Sequence, residues 1–195
     1  ALPILQAACI DSSGQLWIWG NNDYGSCGNG NLLVTRVPFN ASADSLNSIF
    51  GKTVTQVALS CGVQNALSTV VLCSDGTVHA CGYNAYGQLG NGSTTNASRF
   101  AQLPVLANIS QIASGREAYT SYYAITSGGA LYSWGYNGDG QLGDGGTTNA
   151  TIATLRTGGS LSGKTIRAVY AGPNYAMAVD SLGNLHAWGT NAYGQ

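Results

Sequence analysis

Charge is what this 195-residue sequence has least of. Charged side chains make up 8% of it, against about 25% in an ordinary soluble domain. Five Arg and two Lys face seven Asp and a single Glu, Glu117, for a net charge of −1. A basic face able to release counterions from phosphates cannot be assembled from so few cations, so no nucleic-acid partner is expected. Long apolar runs are also missing, and with them any membrane span. Yet 44% of the residues are apolar and 9% aromatic, which excludes a disordered chain. Polarity comes instead from Gly, Ser, Thr and Asn. The composition is that of a loop-rich β protein.

Four segments align. Trp19-Gly20-Asn21-Asn22-Asp23-Tyr24-Gly25 is the first, and Cys81-Gly82-Tyr83-Asn84-Ala85-Tyr86-Gly87-Gln88-Leu89-Gly90 the second. Trp134-Gly135-Tyr136-Asn137-Gly138-Asp139-Gly140-Gln141-Leu142-Gly143 and Trp188-Gly189-Thr190-Asn191 follow. From Gly20 to Gly82, Gly135 and Gly189 the intervals are 62, 53 and 54 residues, a period suited to propeller blades of several short strands. Ahead of each motif, Ser13-Gly14, Asp75-Gly76, Gly128-Gly129 and Leu182-Gly183 mark tight hairpin turns. Val54–Ala58, Ile109–Ala113 and Ile166–Tyr170 supply a preceding strand, and Ala101–Leu106 a fourth, outer one in which Pro104 suits an edge. The fold class is all-β, with four-stranded antiparallel blades in one domain over 1–195. Blade parts lie at about 3–40, 53–107, 108–157 and 164–195. The first lacks its inner strand and the last its outer one, leaving open edges. A longer chain, or a second copy, is therefore expected to complete the ring.

The phrase from Gly129 to Gly145, G-x-L-x-x-W-G-x-N-x-x-G-Q-L-G-x-G, resembles the repeat of the regulator of chromosome condensation (RCC1) family, and the likeness extends over essentially the whole chain. The resemblance implies a β-propeller, seven-bladed in that family. In the repeated motif, Trp19, Trp134, Trp188, Leu89 and Leu142 are read as packing anchors between blades. Gly20, Gly82, Gly87, Gly135, Gly140 and Gly189 are read as turn positions where a Cβ is penalised.

Several motifs suggest chemistry, and each has a structural reading that is preferred. Gly158-Gly159-Ser160-Leu161-Ser162-Gly163-Lys164-Thr165 matches a phosphate-binding loop letter for letter. A β-rich segment follows it rather than a helix, and Gly51-Lys52-Thr53 recurs at the matching place, so an inter-blade turn is expected. His79 and His186 occupy the slot of Trp17 and Tyr132, a packing position. Asn137, Asp139 and Asp144 lack the bidentate acid of a calcium loop. Of the cysteines, Cys81 stands in the motif Trp position and Cys27 in that of Leu89; Cys9 and Cys61 also fall in small or apolar slots. No C-x-x-C or His/Cys cluster is present. No catalytic, metal or cofactor site is expected.

Asn40, Asn91, Asn96, Asn108 and Asn149 open N-x-[ST] sequons, against about three expected by chance at this composition. Asn96 and Asn149 recur at one place in the outer loop. With low charge, these sequons point to a non-enzymatic extracellular or cell-surface glycoprotein: a scaffold or interaction module carrying N-linked glycans. Its partners would be proteins, or further copies paired through open blade edges. Two alternatives stand beside this reading. One is an intracellular protein-binding propeller, in an adaptor or GTPase-exchange role; the other is a secreted inhibitor.

Overall fold

A computed structural model of the chain describes residues 5–60, 66–115 and 119–191. Among the described residues, fourteen strands form four antiparallel sheets. The first holds β1 (Gln6–Ile10), β2 (Leu16–Gly20) and β3 (Thr35–Asn40). The second holds β4 (Val54–Leu59), β5 (Ser68–Cys73), β6 (Val78–Gly82) and β7 (Ala97–Gln102). In the third are β8 (Ile109–Ser114), β9 (Ser121–Thr126), β10 (Leu131–Gly135) and β11 (Ala150–Leu155). The fourth contains β12 (Ile166–Ala171), β13 (Tyr175–Asp180) and β14 (Leu185–Gly189). Registers identify β1–β3 with strands two to four of a blade, since Gln6 faces Gly20 as Ser68 faces Gly82. The last sheet corresponds to strands one to three.

One expectation is corrected. The outer strand of the second blade is Ala97–Gln102, four residues earlier than the Ala101–Leu106 segment, and Pro104 lies in the turn that follows. Its register comes from outside the strand. A Cβ at Gly25 would lie 2.4 Å from Ser98 Cα, and one at Gly87 would lie 2.5 Å from Thr151 Cα. The backbone of each outer strand thus rests directly on the loop glycine of the preceding blade, where only a residue without a side chain fits.

The motif Trp sits at an irregularity. Between the third and fourth strands the register shifts at Ile18/Gly20, Ala80/Gly82 and Ser133/Gly135. The residues skipped are Trp19, Cys81 and Trp134. Such a bulge turns a side chain out of the ladder, here toward the neighbouring blade. Trp134 is fully buried, stacks on Tyr122 at 5.8 Å, and donates its indole N–H to Gln88 O at 2.9 Å. Trp188 does the same to Gln141 O at 2.7 Å. Cys81 makes the matching bond with its thiol, to Ser26 O at 3.3 Å. The missing indole volume is filled from the outer strand. Phe100 and Cys81 together face Gly28, where Trp134 faces Gly90 and Trp188 faces Gly143. In the third blade the residue matching Phe100 is Ala153. Trp19, with no preceding blade among the described residues, is half-buried.

Leu89 and Leu142 are buried in the same inter-blade layers. Inner strands are stitched by glutamines: Gln56 accepts from Ile112 N at 2.9 Å, and Gln111 donates to Val169 O at 2.9 Å. Strands end at Gly20, Gly82, Gly135 and Gly189 with φ of 114°, 105°, 95° and 102°.

Replacing Trp134 by Ala is expected to lower the unfolding free energy by about 3–5 kcal/mol in urea denaturation. Cys81→Trp alone is expected to destabilise by about 1–3 kcal/mol through overpacking. Adding Phe100→Ala should recover most of that loss, because the third blade holds the pair Trp134 and Ala153. A coupling energy below about 0.5 kcal/mol in that double-mutant cycle would show that the two side chains do not share the space.

Candidate functional site

Antiparallel pairing sends the loops between strands one and two, and those between strands three and four, to one end of every blade. The hairpins and inter-blade linkers gather at the other end. The two ends differ in chemistry.

At the hairpin end, side chains bond to one another. Asp11 accepts from Trp17 Nε1 at 2.8 Å, and Asp180 lies 3.2 Å from His186 Nε2. His79 is fully buried, with Nδ1 2.7 Å from Ser48 Oγ and Nε2 2.9 Å from Thr77 Oγ1. Thr77 Oγ1 in turn donates to Asp75 at 2.6 Å, and Asp75 pairs with Lys52. Spacing gives no hint that Ser48 and His79 meet; the linker after β3 brings them together. The ring is enclosed, so this chain of bonds holds an imidazole in place rather than presenting it to a substrate. Lys52 and Lys164 belong to Gly-Lys-Thr linkers that lead into β4 and β12. In each linker the Thr packs where a Cβ on the preceding hairpin glycine would stand, Thr53 against Gly14 and Thr165 against Gly129. That contact explains why the motif recurs.

The sequon asparagines also have backbone roles. Asn96 and Asn149 accept from the backbone N–H of Asn84 and Asn137 at 2.8 and 2.9 Å, which accounts for their repetition. Asn40 caps a short 3-10 turn by accepting from Ala43 N, and Asn91 accepts from Ser93 N. Asn108 takes a φ of 54° at the linker position. Asn91, Asn96, Asn108 and Asn149 are nevertheless exposed. Cys27, Cys73 and Cys81 are buried free thiols, and Cys9 is an exposed one. Cys61 and Glu117 lie outside the described residues.

The opposite end carries tyrosines. Tyr24 meets Tyr83 edge-on at 4.9 Å, Tyr83 meets Tyr86 at 6.3 Å, and Tyr86 meets Tyr136 at 5.3 Å. Tyr119, from the loop before β9, closes the row at 5.1 Å from Tyr86 and 5.0 Å from Tyr136. The row crosses three blades and faces solvent, with Tyr119 43% exposed. Partial burial, then the neighbouring rings, raises the Tyr83 and Tyr86 hydroxyls above the ordinary phenol value. They are therefore protonated donors at neutral pH.

What holds this surface is a recurring asparagine. Asn22, Asn84 and Asn137 are fully buried. Asn84 donates to Ser93 O and Thr95 O at 3.0 and 2.9 Å and accepts from Leu89 N at 2.8 Å. Asn22 and Asn137 make the same three kinds of bond. One side chain therefore satisfies both halves of a long loop, and its recurrence two residues after each motif Gly was the available signal. Asn137 also donates to Asp144, whose other oxygen is 3.3 Å from Arg156, so this trio is a loop brace. Among the described residues no group of three His, Cys, Asp or Glu side chains could hold a metal ion.

Two outcomes are expected. Asn84→Ala should lower stability by about 2 kcal/mol or more in urea denaturation, since buried partners are left unpaired. Burial, followed by the charge of Lys52, pushes His79 down to about 4, below its unfolded value. The neutral imidazole therefore favours the fold above pH 6.5, and this contribution is lost as pH falls toward 4, by up to about 1.4 kcal/mol per pH unit. Denaturation midpoints across that range should fall in the natural protein and fall less in His79→Phe.

The comparisons with known proteins follow the repeats. The family model described as the regulator of chromosome condensation (RCC1) repeat matches residues 13–67, 75–118 and 128–179. A second model of the same description matches 56–88 and 166–195. Human E3 ubiquitin-protein ligase HERC2 is 30% identical over 191 residues, which are 97% of this chain and 4% of that protein. The ultraviolet-B receptor UVR8 of Arabidopsis thaliana is 30% identical over 192 residues, 96% of this chain and 40% of the receptor. The chain thus spans well under half of each relative. In fold it is similar to human WBSCR16, with a TM-score of 0.76 at 18% identity over 97% of this chain and 46% of that one. It is also similar to Prp20p of Saccharomyces cerevisiae, with a TM-score of 0.75 at 16% identity over 89% and 41%. Three matched repeats, the glycine-rich motif and an unclosed set of antiparallel blades agree: this chain belongs to the RCC1 repeat family.

Proposed function

We propose that the chain is a non-catalytic protein-interaction module acting inside the cell, and that it binds through the tyrosine-bearing loop end. The observation that carries this reading is the row Tyr24, Tyr83, Tyr86, Tyr136 and Tyr119. Tyr offers a large, stiff contact area and a polar tip, and it is enriched among residues that dominate binding energy. Among the described residues of these loops the formal charges are Asp23, Asp139 and Asp144, all negative; Asp144 is engaged by Arg156, and Asp23 accepts from Asn21 Nδ2 at 3.0 Å. A partner with positive charge at the contact therefore suits the surface.

The comparisons support a protein partner. The Prp20p structure is described with binding to Gsp1p and histones, and a second structure shows Kap60 bound to it. Buried free thiols at Cys27, Cys73 and Cys81 suit a reducing compartment. The extracellular glycoprotein remains the second reading, favoured by the exposed Asn96 and Asn149. The backbone bonds of those two residues supply a different reason for their recurrence, and the intracellular reading is preferred.

Titration with purified histones and with Gsp1p, by biolayer interferometry, tests the proposal. The natural protein is expected to bind at least one of them. Tyr86→Ala and Tyr136→Ala should each weaken that binding about tenfold, roughly 1.4 kcal/mol, with little change in melting temperature. Unchanged affinity in both variants, or no binding by the natural protein, would sink the proposal.

A further inference from the structure

Three Asn-Gly steps occur in the chain, at Asn29-Gly30, Asn91-Gly92 and Asn137-Gly138. Such a step can react with itself. The glycine nitrogen attacks the side-chain amide carbon of the asparagine, and no Cβ on the glycine obstructs the approach. Each step lies in a different blade and in different surroundings, so the fold ranks them.

Asn137 is fully buried and its amide is spent. It donates to Asp144, Gly146 O and Thr148 O, and accepts from Leu142 N. Asn29 is half-buried. Its Oδ1 accepts from Asn22 Nδ2 and Asn31 N at 3.0 and 3.2 Å. Its Nδ2, which would have to leave, donates to Thr35 Oγ1 at 3.0 Å. Asn91 and Gly92 are both exposed. Ser93 N and Ser93 Oγ each donate to Asn91 Oδ1 at 3.0 Å. Both donors aim at the oxygen that turns negative when the amide carbon becomes tetrahedral, as an oxyanion hole does. One restraint opposes them: Gly92 N donates to Thr151 O at 2.8 Å, and that bond must open before the nitrogen attacks. Gly30 N is tied in the same way to Ser98 O at 2.9 Å, so the restraint does not reorder the two steps.

We propose that Asn91 is a site of spontaneous covalent modification, where ring closure onto Gly92 converts the amide to a carboxylate. The bond from Gly92 N to Asn91 Cγ forms, and the N–H proton passes to water or hydroxide. The Cγ–Nδ2 bond then breaks, and the nitrogen takes up a proton and leaves as ammonia. Water opens the resulting succinimide at either carbonyl, giving aspartate or isoaspartate. The third blade shows that an aspartate fits. Asp144 stands at the place of Asn91 and accepts from Gly146 N at 2.9 Å, as Asn91 does from Ser93 N. Asp144 has Arg156 beside it at 3.3 Å. The matching residue in the second blade is Leu103, whose N bonds Val78 O as Arg156 N bonds Leu131 O. A carboxylate made at Asn91 therefore meets no matching arginine, and adds negative charge to the loop. The isoaspartate form lengthens the main chain by a methylene and draws Gly92 N out of line with Thr151 O, loosening β11.

Incubation of the protein at mildly alkaline pH, followed by peptide mapping with mass spectrometry, tests the assignment. The mass gain of amide-to-acid conversion is expected first at Asn91, severalfold ahead of Asn29, with Asn137 unchanged. Sub-denaturing urea should accelerate it by opening the bond of Gly92 N. Ser93→Ala should slow it severalfold, and Asn91→Asp should keep the melting temperature of the natural protein. Conversion that begins at Asn29 or Asn137, or that ignores Ser93→Ala, would overturn the assignment. So would conversion no faster at Asn91 than at the exposed Asn96, which precedes an alanine. A lowered melting temperature in Asn91→Asp would overturn the fit of the aspartate product.

Discussion

Everything in this structure leans on one hydrogen bond, repeated at each seam between blades. A donor at the motif Trp position, lifted out of its ladder by a bulge, reaches the carbonyl of the Gln or Ser in the preceding blade's glycine turn. Trp134 to Gln88, Trp188 to Gln141 and Cys81 to Ser26 are three forms of that contact. It fixes how far each blade rotates from the last. It therefore also fixes where the loop glycines meet the next outer strand, and where the tyrosines of successive loops come within ring contact. A blade alone has too little apolar surface to be stable; stacking supplies the core.

The two ends of the blades divide the work. Hairpin-end polar groups such as Asp11, Asp180 and His79 spend their bonding capacity inward, on Trp17, His186, Ser48 and Thr77. Loop-end residues that organise the backbone are neutral amides buried below the surface, which leaves phenols and carboxylates to face outward. A site that is rigid beneath and aromatic above loses little entropy on binding.

Much of this was legible in the sequence. The hairpin glycines, the inner strands and the identity of the strands in the incomplete end sheets followed from repeat alignment, because the physical requirement at each place is local. The outer strand did not, since Ala97-Ser98-Arg99-Phe100 has no alternation of its own and takes its register from Gly25 in another blade. Ser48 beside His79 was equally invisible, being a product of how a linker crosses. The surface was half legible. Tyr24 and Tyr86 share a motif position, but Tyr119 joins from a different loop, and only the packed blades make a row of them. The sequons read two ways for a related reason: an Asn needed to receive a backbone N–H looks the same in one dimension as an Asn displayed for modification.

The seams are not equal. Where two of them close on an indole N–H, the first closes on a thiol, a weak donor, and on the ring of Phe100 borrowed from the outer strand. Tyr24 and Tyr83 stand on opposite sides of that joint. A partner seated on both rings would bridge two blades at once, and recognition there would act as a clasp across the seam that a thiol closes.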